Sequence, residues 1–451
     1  DELILHGFAS GKPEAAVKAM RSGVDMDMQG HVYAEVLSDM VKKGRIPVQQ
    51  IDVAVRNVLR LKFQLGLFED PYRYCNVTRE KSSILTPEHR LAAREIARKS
   101  CVLLKNDNHL LPLPKTIRSV AIIGPLADDD ENILGEWRAL GRPQDAVSLL
   151  TGIKEAVSPQ TKIFYEAGCN INDDDRSNFS RAVAAARKAD AVIIVAGESA
   201  DMTGEAYNRS DIGLPGVQLE LIKEIQKTGK PVVLVLINGR PLAIPWEAQH
   251  VPSILEAWLP GTEAGHAVAD ILFGDYNPSG KLAVSFPRAT GQIPVYYNYK
   301  NTGRPADPGR RYTSKYIDIP VGPLYPFGYG LSYTTFMYSH MELSSDTLAM
   351  SDSLEITIRV TNVGNYKGEE VVQLYIRDHV ASVTRPVMEL KDFRKVEIDS
   401  AESVRVRFIL KPQQLAFYNE NMQFIVEPGN FSVMVGTSSA NFAAKDFTLV
   451  W

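Results

Sequence analysis

The chain has 451 residues, 45% hydrophobic and 23% charged; at roughly 100–200 residues per domain this makes two to four globular domains and excludes disorder as the main state. Its 50 basic and 54 acidic residues leave a formal charge of -4 with no basic stripe for a phosphate backbone, so no nucleic-acid partner is expected. The longest apolar run, Val232 to Ile237, falls far short of the roughly 20 residues of a membrane-spanning helix, so no membrane span is expected.

Residues 1–72 read as helices. Pro13 to Ser22 opens with a proline tolerated in the first turn and stops at Gly23. Val32, Val36, Leu37, Met40 and Val41 recur at helical spacing before Gly44, and Ile51, Val55, Val58 and Leu59 do so before Gly66. Residues 73–101 read as a polar connector followed by a helix, with Thr86 at the N-cap and Pro87 in the first helical position.

Residues 102–336 change pattern. Buried-type strands at Val120–Ile123, Ala191–Ala196, Val232–Ile237 and Ile254–Ala257 alternate with helices at 179–189, 217–227 and 262–273, which predicts an α/β domain around a mainly parallel sheet. A segment rich in Pro, Gly and Tyr, 275–336, wraps over its neighbours. From Leu354 the period becomes two, with turn signals at 362–368 and 427–430, so residues 337–451 read as a β-sandwich of immunoglobulin or fibronectin type.

Ligands of open α/β sheets sit outside the carboxyl ends of the strands, which directs the search to the loop after each strand. The loop from Gly197 to Pro215 is long and carries Glu198, Asp201, Glu205, Arg209 and Asp211, a supply of carboxyl groups suited to acid/base work. The loop after the first strand holds Trp137, an aromatic ring able to stack a sugar or to anchor a core. Glu256, Trp258 and Gly261-Thr262-Glu263 read mainly as packing and capping. Gly274 to Lys281 has the wrong spacing for a phosphate-binding loop and Gly328-Tyr329-Gly330 lacks the third glycine of a dinucleotide fingerprint. Cys75, Cys101 and Cys169 are too scattered for a disulfide framework, and the eight histidines include no H-E-x-x-H and no close pair, so neither metal nor cofactor is expected.

Several stretches resemble glycoside hydrolase family 3 β-glucosidases of the bacterial periplasmic type: His6-Gly7, Ala19 to Met28, Gly66 to Tyr72, Val102 to Asn106 and Ala121 to Leu126, then Ile237 to Pro241, Leu272 to Lys281, Ser285-Phe286-Pro287 and Pro326 to Thr334. The resemblance implies a (β/α)8-type barrel, an α/β sandwich and a fibronectin type III-like domain, with residues 1–72 as the tail of the barrel. It implies a retaining exo-acting β-glucosidase, with β-xylosidase, α-L-arabinofuranosidase or a noncatalytic carbohydrate-binding scaffold as alternatives. The nucleophilic Asp lies upstream in the family and is expected to be absent here. Glu205 matches the general acid/base; Glu198 is the fallback or a substrate-side residue, expected mainly to hold loop conformation, and Glu2 is a weaker third. Trp137 matches a wall of the aglycone subsite; Asp25 and Asp27 read as structural.

Implied partners are β-glucoside oligosaccharides or aryl glucosides and the barrel, as a preceding segment or second chain, with a homodimer left open. The implied location is periplasmic or secreted, although Asp1 to Phe8 lack the basic region of a signal peptide; Asn76-Val77-Thr78 and Asn430-Phe431-Ser432 are sequon triplets. Val36, Met40, Val55 and Leu59 are expected to face a barrel core outside this chain.

Overall fold

Gly23, Gly44 and Gly66 have positive φ angles of 86°, 65° and 66°, and each stops a helix with the left-handed residue that glycine adopts at no steric cost. In the computed structural model, which describes residues 2–451 as two compact units divided between Thr86 and Pro87, the first unit is helical. It holds α1 (Glu2–Leu5), α2 (Lys12–Arg21), α3 (Val32–Lys42), α4 (Val48–Gln64) and α5 (Val77–Ser83). Helix α5 lies within the expected polar connector; Asn76 caps it by accepting from the Arg79 N–H at 2.8 Å, so the first sequon asparagine is a helix cap. Asp27 accepts from the backbone N–H groups of Gly30 and Val32 at 2.9 and 2.6 Å and acts structurally.

The core of this unit is small. Met40 is buried with Val17, Met20, Ile46 and Ala54, and Val36 packs against them. This corrects the outward-facing reading of those two residues: the spacing that marks an apolar face does not say which neighbour covers it. Val55 and Leu59 are exposed, together with Val53, Leu61 and Phe63 on the same helix.

The second unit begins with α6 (Pro87–Ser100) and continues through β1 (Val102–Asn106), β2 (Ser119–Ile123), α7 (Leu149–Ala156), β3 (Lys162–Glu166) and α8 (Phe179–Lys188). It then runs through β4 (Ala191–Gly197), α9 (Gln218–Gln226), β5 (Val232–Ile237), α10 (Pro245–His250), β6 (Ser253–Trp258) and α11 (Ala264–Leu272). The sheet order is β1-β6-β5-β4-β2-β3, parallel except for β1, which runs antiparallel to β6. β2, β4 and β5 are buried along their whole length. Their side chains alternate between two cores, one shared with α7 and α11, the other with α8 and α9. Each such Val, Ile or Leu is worth roughly 1.5–3 kcal/mol over an exposed one, which is why the sequence writes these strands as unbroken apolar runs. Helices α7 and α11 meet at Gly152 and Gly265, where a Cβ on Gly152 would overlap the Gly265 backbone.

The rest of the chain forms β7 (Phe336–Leu343), β8 (Thr347–Ala349), β9 (Leu354–Asn362), β10 (Gly368–Asp378), β11 (Glu389–Ile398) and β12 (Ser403–Leu410). After these come β13 (Phe417–Tyr418), β14 (Phe424–Ile425), β15 (Gly429–Ser438) and β16 (Asn441–Val450). Two sheets, β11-β10-β15-β16-β8 and β12-β9-β7, enclose Ile356, Ile358, Leu374, Phe408, Val433 and Val435, the inward members of the period-two pattern.

The α/β domain and the sandwich are joined by the residues that mimic nucleotide-binding motifs. Lys281 pairs with the buried Glu370 of β10 at 2.9 Å and donates to the Gly330 carbonyl at 2.7 Å. Asn277 accepts from the Tyr333 N–H at 2.8 Å and donates to the Lys367 carbonyl at 3.0 Å. A Cβ on Gly280 would overlap the Cys101 carbonyl oxygen, and one on Gly330 the Gly280 carbonyl oxygen. These glycines serve backbone packing at a seam.

Candidate active-site loop

In the parallel part of the sheet the chain goes from β2 outward to β3, then returns to the other side of β2 for β4, β5 and β6. The strand order therefore reverses between β2 and β4, and the crevice outside the carboxyl ends of those two strands is where such a sheet accepts ligands. A glycine stands at the carboxyl end of each strand at this crevice, Gly124 just after β2 and Gly197 as the last residue of β4. A Cβ on Gly124 would overlap the Val195 carbonyl oxygen, and one on Gly197 the Ile237 carbonyl oxygen, so backbones approach there as only glycine permits. The loops leaving these ends carry Trp137 and Glu205.

The base of the second loop is tied down by charge. Glu198 is 0% exposed, and its carboxylate receives Arg209 Nη1 at 2.6 Å and Arg240 Nε at 3.0 Å. Arg209 donates to the Gly213 carbonyl at 3.0 Å. Arg240, which follows β5, donates to the carbonyls of Met202 and Tyr207, the latter at 2.8 Å. One buried carboxylate thus fixes two guanidinium groups, and they fix the backbone on both sides of Glu205 and at the loop's exit. Such a cluster holds geometry because removing any member would strand a buried charge. Gly239 is pressed against Thr203, whose hydroxyl a Cβ there would overlap, and the Ala200 N–H donates to Asn132 Oδ1 of the β2 loop at 2.8 Å.

Glu205 stands at the tip of the same loop, exposed, and its carboxylate makes no hydrogen bond or ion pair among the described residues. Gly204 before it lies against Glu136: a Cβ on Gly204 would come within 2.9 Å of Glu136 Cγ. Trp137, next to Glu136, is 74% exposed, and its own loop is anchored by Asp129, which accepts from the Asn132 N–H at 2.6 Å. The structure therefore brings the Trp137 and Glu205 loops into contact, with an open aromatic ring on one and an uncommitted carboxylate on the other. Glu198 differs from the substrate-side expectation: a carboxylate with no exposed surface cannot touch a ligand. Glu2 lies in α1 of the other unit.

A second buried carboxyl lies beneath the clamp. Glu256 of β6 is fully buried; burial pushes its carboxyl well above the usual carboxylate range, and the negative charge of Glu198 adds to the push against hydrogen bonds from the Trp258 N–H at 2.9 Å and Asn238 Nδ2 at 3.3 Å. It reads as packing. Asn238 and Arg240 belong to the stretch Ile237 to Pro241, quoted from the sequence only as a motif. Their part in the site could have been found from the rule that directed attention to the loop after β4, because they follow the carboxyl end of β5.

Comparison with known proteins identifies the family. Residues 101–333 match the model described as "Glycosyl hydrolase family 3 C-terminal domain", and residues 370–439 match "Fibronectin type III-like domain". The chain is 43% identical to a periplasmic beta-glucosidase of Salmonella typhimurium, covering 100% of this chain and 62% of that protein. It is 41% identical to a beta-xylosidase of Formosa agariphila, covering 96% and 61%. Among solved structures, a beta-glucosidase from Listeria innocua in complex with glucose superposes with a TM-score of 0.93 at 40% identity, over 100% of this chain and 61% of that one. The chain thus spans about three fifths of the length of these relatives.

Proposed function

The chain belongs to glycosyl hydrolase family 3, and from that premise we propose that it forms the acid/base half of a retaining, exo-acting β-glucosidase that releases terminal nonreducing β-D-glucosyl residues. The observation that carries this reading is the placement of Glu205: an exposed carboxylate with no partner among the described residues, at the tip of a loop clamped at its base, at the sheet's switch point beside the Trp137 loop. In the first step an aspartate outside this chain attacks the anomeric carbon, the bond to the leaving oxygen breaks, and Glu205 gives that oxygen its proton. In the second, Glu205 takes a proton from water as the water displaces the aspartate, restoring both carboxyl groups. The two carboxyls work at roughly 5–5.5 Å in retaining enzymes. The mechanism requires no metal.

In this reading residues 1–72 are the closing helices of the family's barrel and 73–101 the connector. Residues 102–336 carry the acid/base loop, and 337–451 buttress it. The barrel supplies the nucleophile and the subsite for the nonreducing sugar, and Trp137 lines the leaving-group side. The exposed apolar face of α4, with Val55 and Leu59, supports the assignment of the first helices. The name of the Salmonella relative supports a periplasmic or secreted location. The Formosa relative favours a second reading, β-xylosidase, since the sugar is chosen by the barrel.

The test is hydrolysis of p-nitrophenyl β-D-glucoside, β-D-xyloside and α-L-arabinofuranoside by the chain joined to the barrel, for wild type and Glu205→Gln. Preference for the glucoside with collapse in the variant supports the proposal; preference for the xyloside selects the second reading, and equal rates in wild type and variant reject the role of Glu205.

A further inference from the structure

We propose that the seam between the 295–301 segment and the sandwich is a second carbohydrate site, which takes a β-linked gluco-oligosaccharide. A cleft of about 480 Å³ opens there, within the roughly 300–1,000 Å³ of small-molecule sites. It is preformed. Tyr297 is wedged into the sandwich, stacked on Phe327 at 4.1 Å and edge-on to Tyr375 at 5.9 Å, and its hydroxyl accepts from the Leu390 N–H at 3.2 Å. The Val387 N–H donates to the Tyr299 carbonyl at 2.9 Å. With the segment so pinned, Tyr296 and Tyr299 turn their rings outward along the cleft, 63% and 55% exposed. Large aromatic rings held open on a fixed backbone offer flat apolar faces at little entropic cost.

Two polar groups in the same cleft are uncommitted. The Arg377 guanidinium on β10 lines it and makes no ion pair or hydrogen bond among the described residues. Ser285 is only 4% exposed, yet its hydroxyl makes no hydrogen bond among the described residues and borders the cleft. Outward aromatic rings beside hydrogen-bonding groups fit a pyranose chain, whose ring faces are apolar and whose edges carry hydroxyls. The Ser285-Phe286-Pro287 stretch, which the acid/base reading leaves unused, gains a role: Phe286 is buried in the α/β core and holds Ser285 at the cleft floor.

The β-linked glucan as occupant rests on the proposed glucosidase activity; the existence of the cleft does not. The experiment is calorimetric titration of the chain with cellotetraose and laminaritetraose, for wild type, Tyr296→Ala, Tyr299→Ala, Arg377→Ala and Glu205→Gln. The expected result is saturable binding, weakened about three- to tenfold by each cleft substitution, the scale of one aromatic contact or hydrogen bond, and unchanged in Glu205→Gln. The first two replaced rings are more than half exposed, so circular dichroism should show intact folds. Absence of saturable binding, or binding that survives all three cleft substitutions, overturns the proposal. Loss of hydrolysis in Glu205→Gln, with the barrel supplied, reports separately on the glucosidase reading.

Discussion

The two glutamates of the loop after β4 show what burial does to a carboxylate. Glu198 is sealed in and shared by two arginines, and so it can define shape but cannot exchange protons with a ligand. Glu205 is open and has no partner among the described residues, and so can carry a proton to and from a leaving group, provided that something else defines where it stands. Division of labour follows: the base of the loop spends its charges on position and leaves the tip free for chemistry.

The strongest way to break this comparison is Glu198→Ala. Stranding Arg209 and Arg240 should cost roughly 3–5 kcal/mol of stability, as for other buried pairs that lose one partner. Glu205→Ala should change stability by less than about 0.5 kcal/mol, as exposed substitutions usually do. Denaturant unfolding of the two variants compares them directly; equal costs would contradict the division of labour. Gly204→Val comes next: its side chain displaces Glu136 and with it the neighbouring loop, so the rate with the barrel supplied should fall by up to about 100-fold, the scale of an ångström of misplacement, while unfolding is little altered.

A third variant sharpens the contrast between paired and unpaired buried carboxylates. Glu247 of α10 is buried, and burial pushes its carboxyl to about 6, above the roughly 4.3 of an exposed glutamate. The folded chain then holds a proton that the unfolded chain gives up, so stability is full below about pH 4 and declines as pH rises to 6, by roughly 2 kcal/mol. Glu247→Gln should abolish this share of the decline and be more stable than wild type at pH 7; unfolding midpoints from pH 4 to 7 measure it. The smallest effect is expected for Trp137→Ala. A ring 74% exposed supports little structure, so stability should hold while KM for an aryl glucoside rises about three- to tenfold, the scale of one aromatic contact.

The interior strands were legible because β2, β4 and β5 are buried on both faces and leave unbroken apolar runs, and β6 leaves one broken only by Glu256. β3 was not: it is an edge strand with half-exposed side chains, and Lys162 to Glu166 carries no such run. The antiparallel β1 was visible only as part of a family motif. For the loop after β4, sheet topology and residue content directed the search to the right place, and the resemblance selected Glu205 within it. What composition could not show was that Glu198 turns inward, because this depends on Arg240, which arrives from another strand. The same limit explains Met40 and Val36: periodicity marks an apolar face, and only the fold shows which neighbour covers it.

The central claim, that Glu205 is the acid/base, is tested most directly by the leaving-group dependence of Glu205→Gln, measured with the barrel supplied. On cellobiose, whose leaving alcohol needs a proton, the account predicts a loss of about 10²- to 10⁴-fold. On 2,4-dinitrophenyl β-D-glucoside, whose phenolate departs without one, glycosyl-enzyme formation should be nearly unimpaired. Equal losses on both substrates, or no loss on either, would contradict the account.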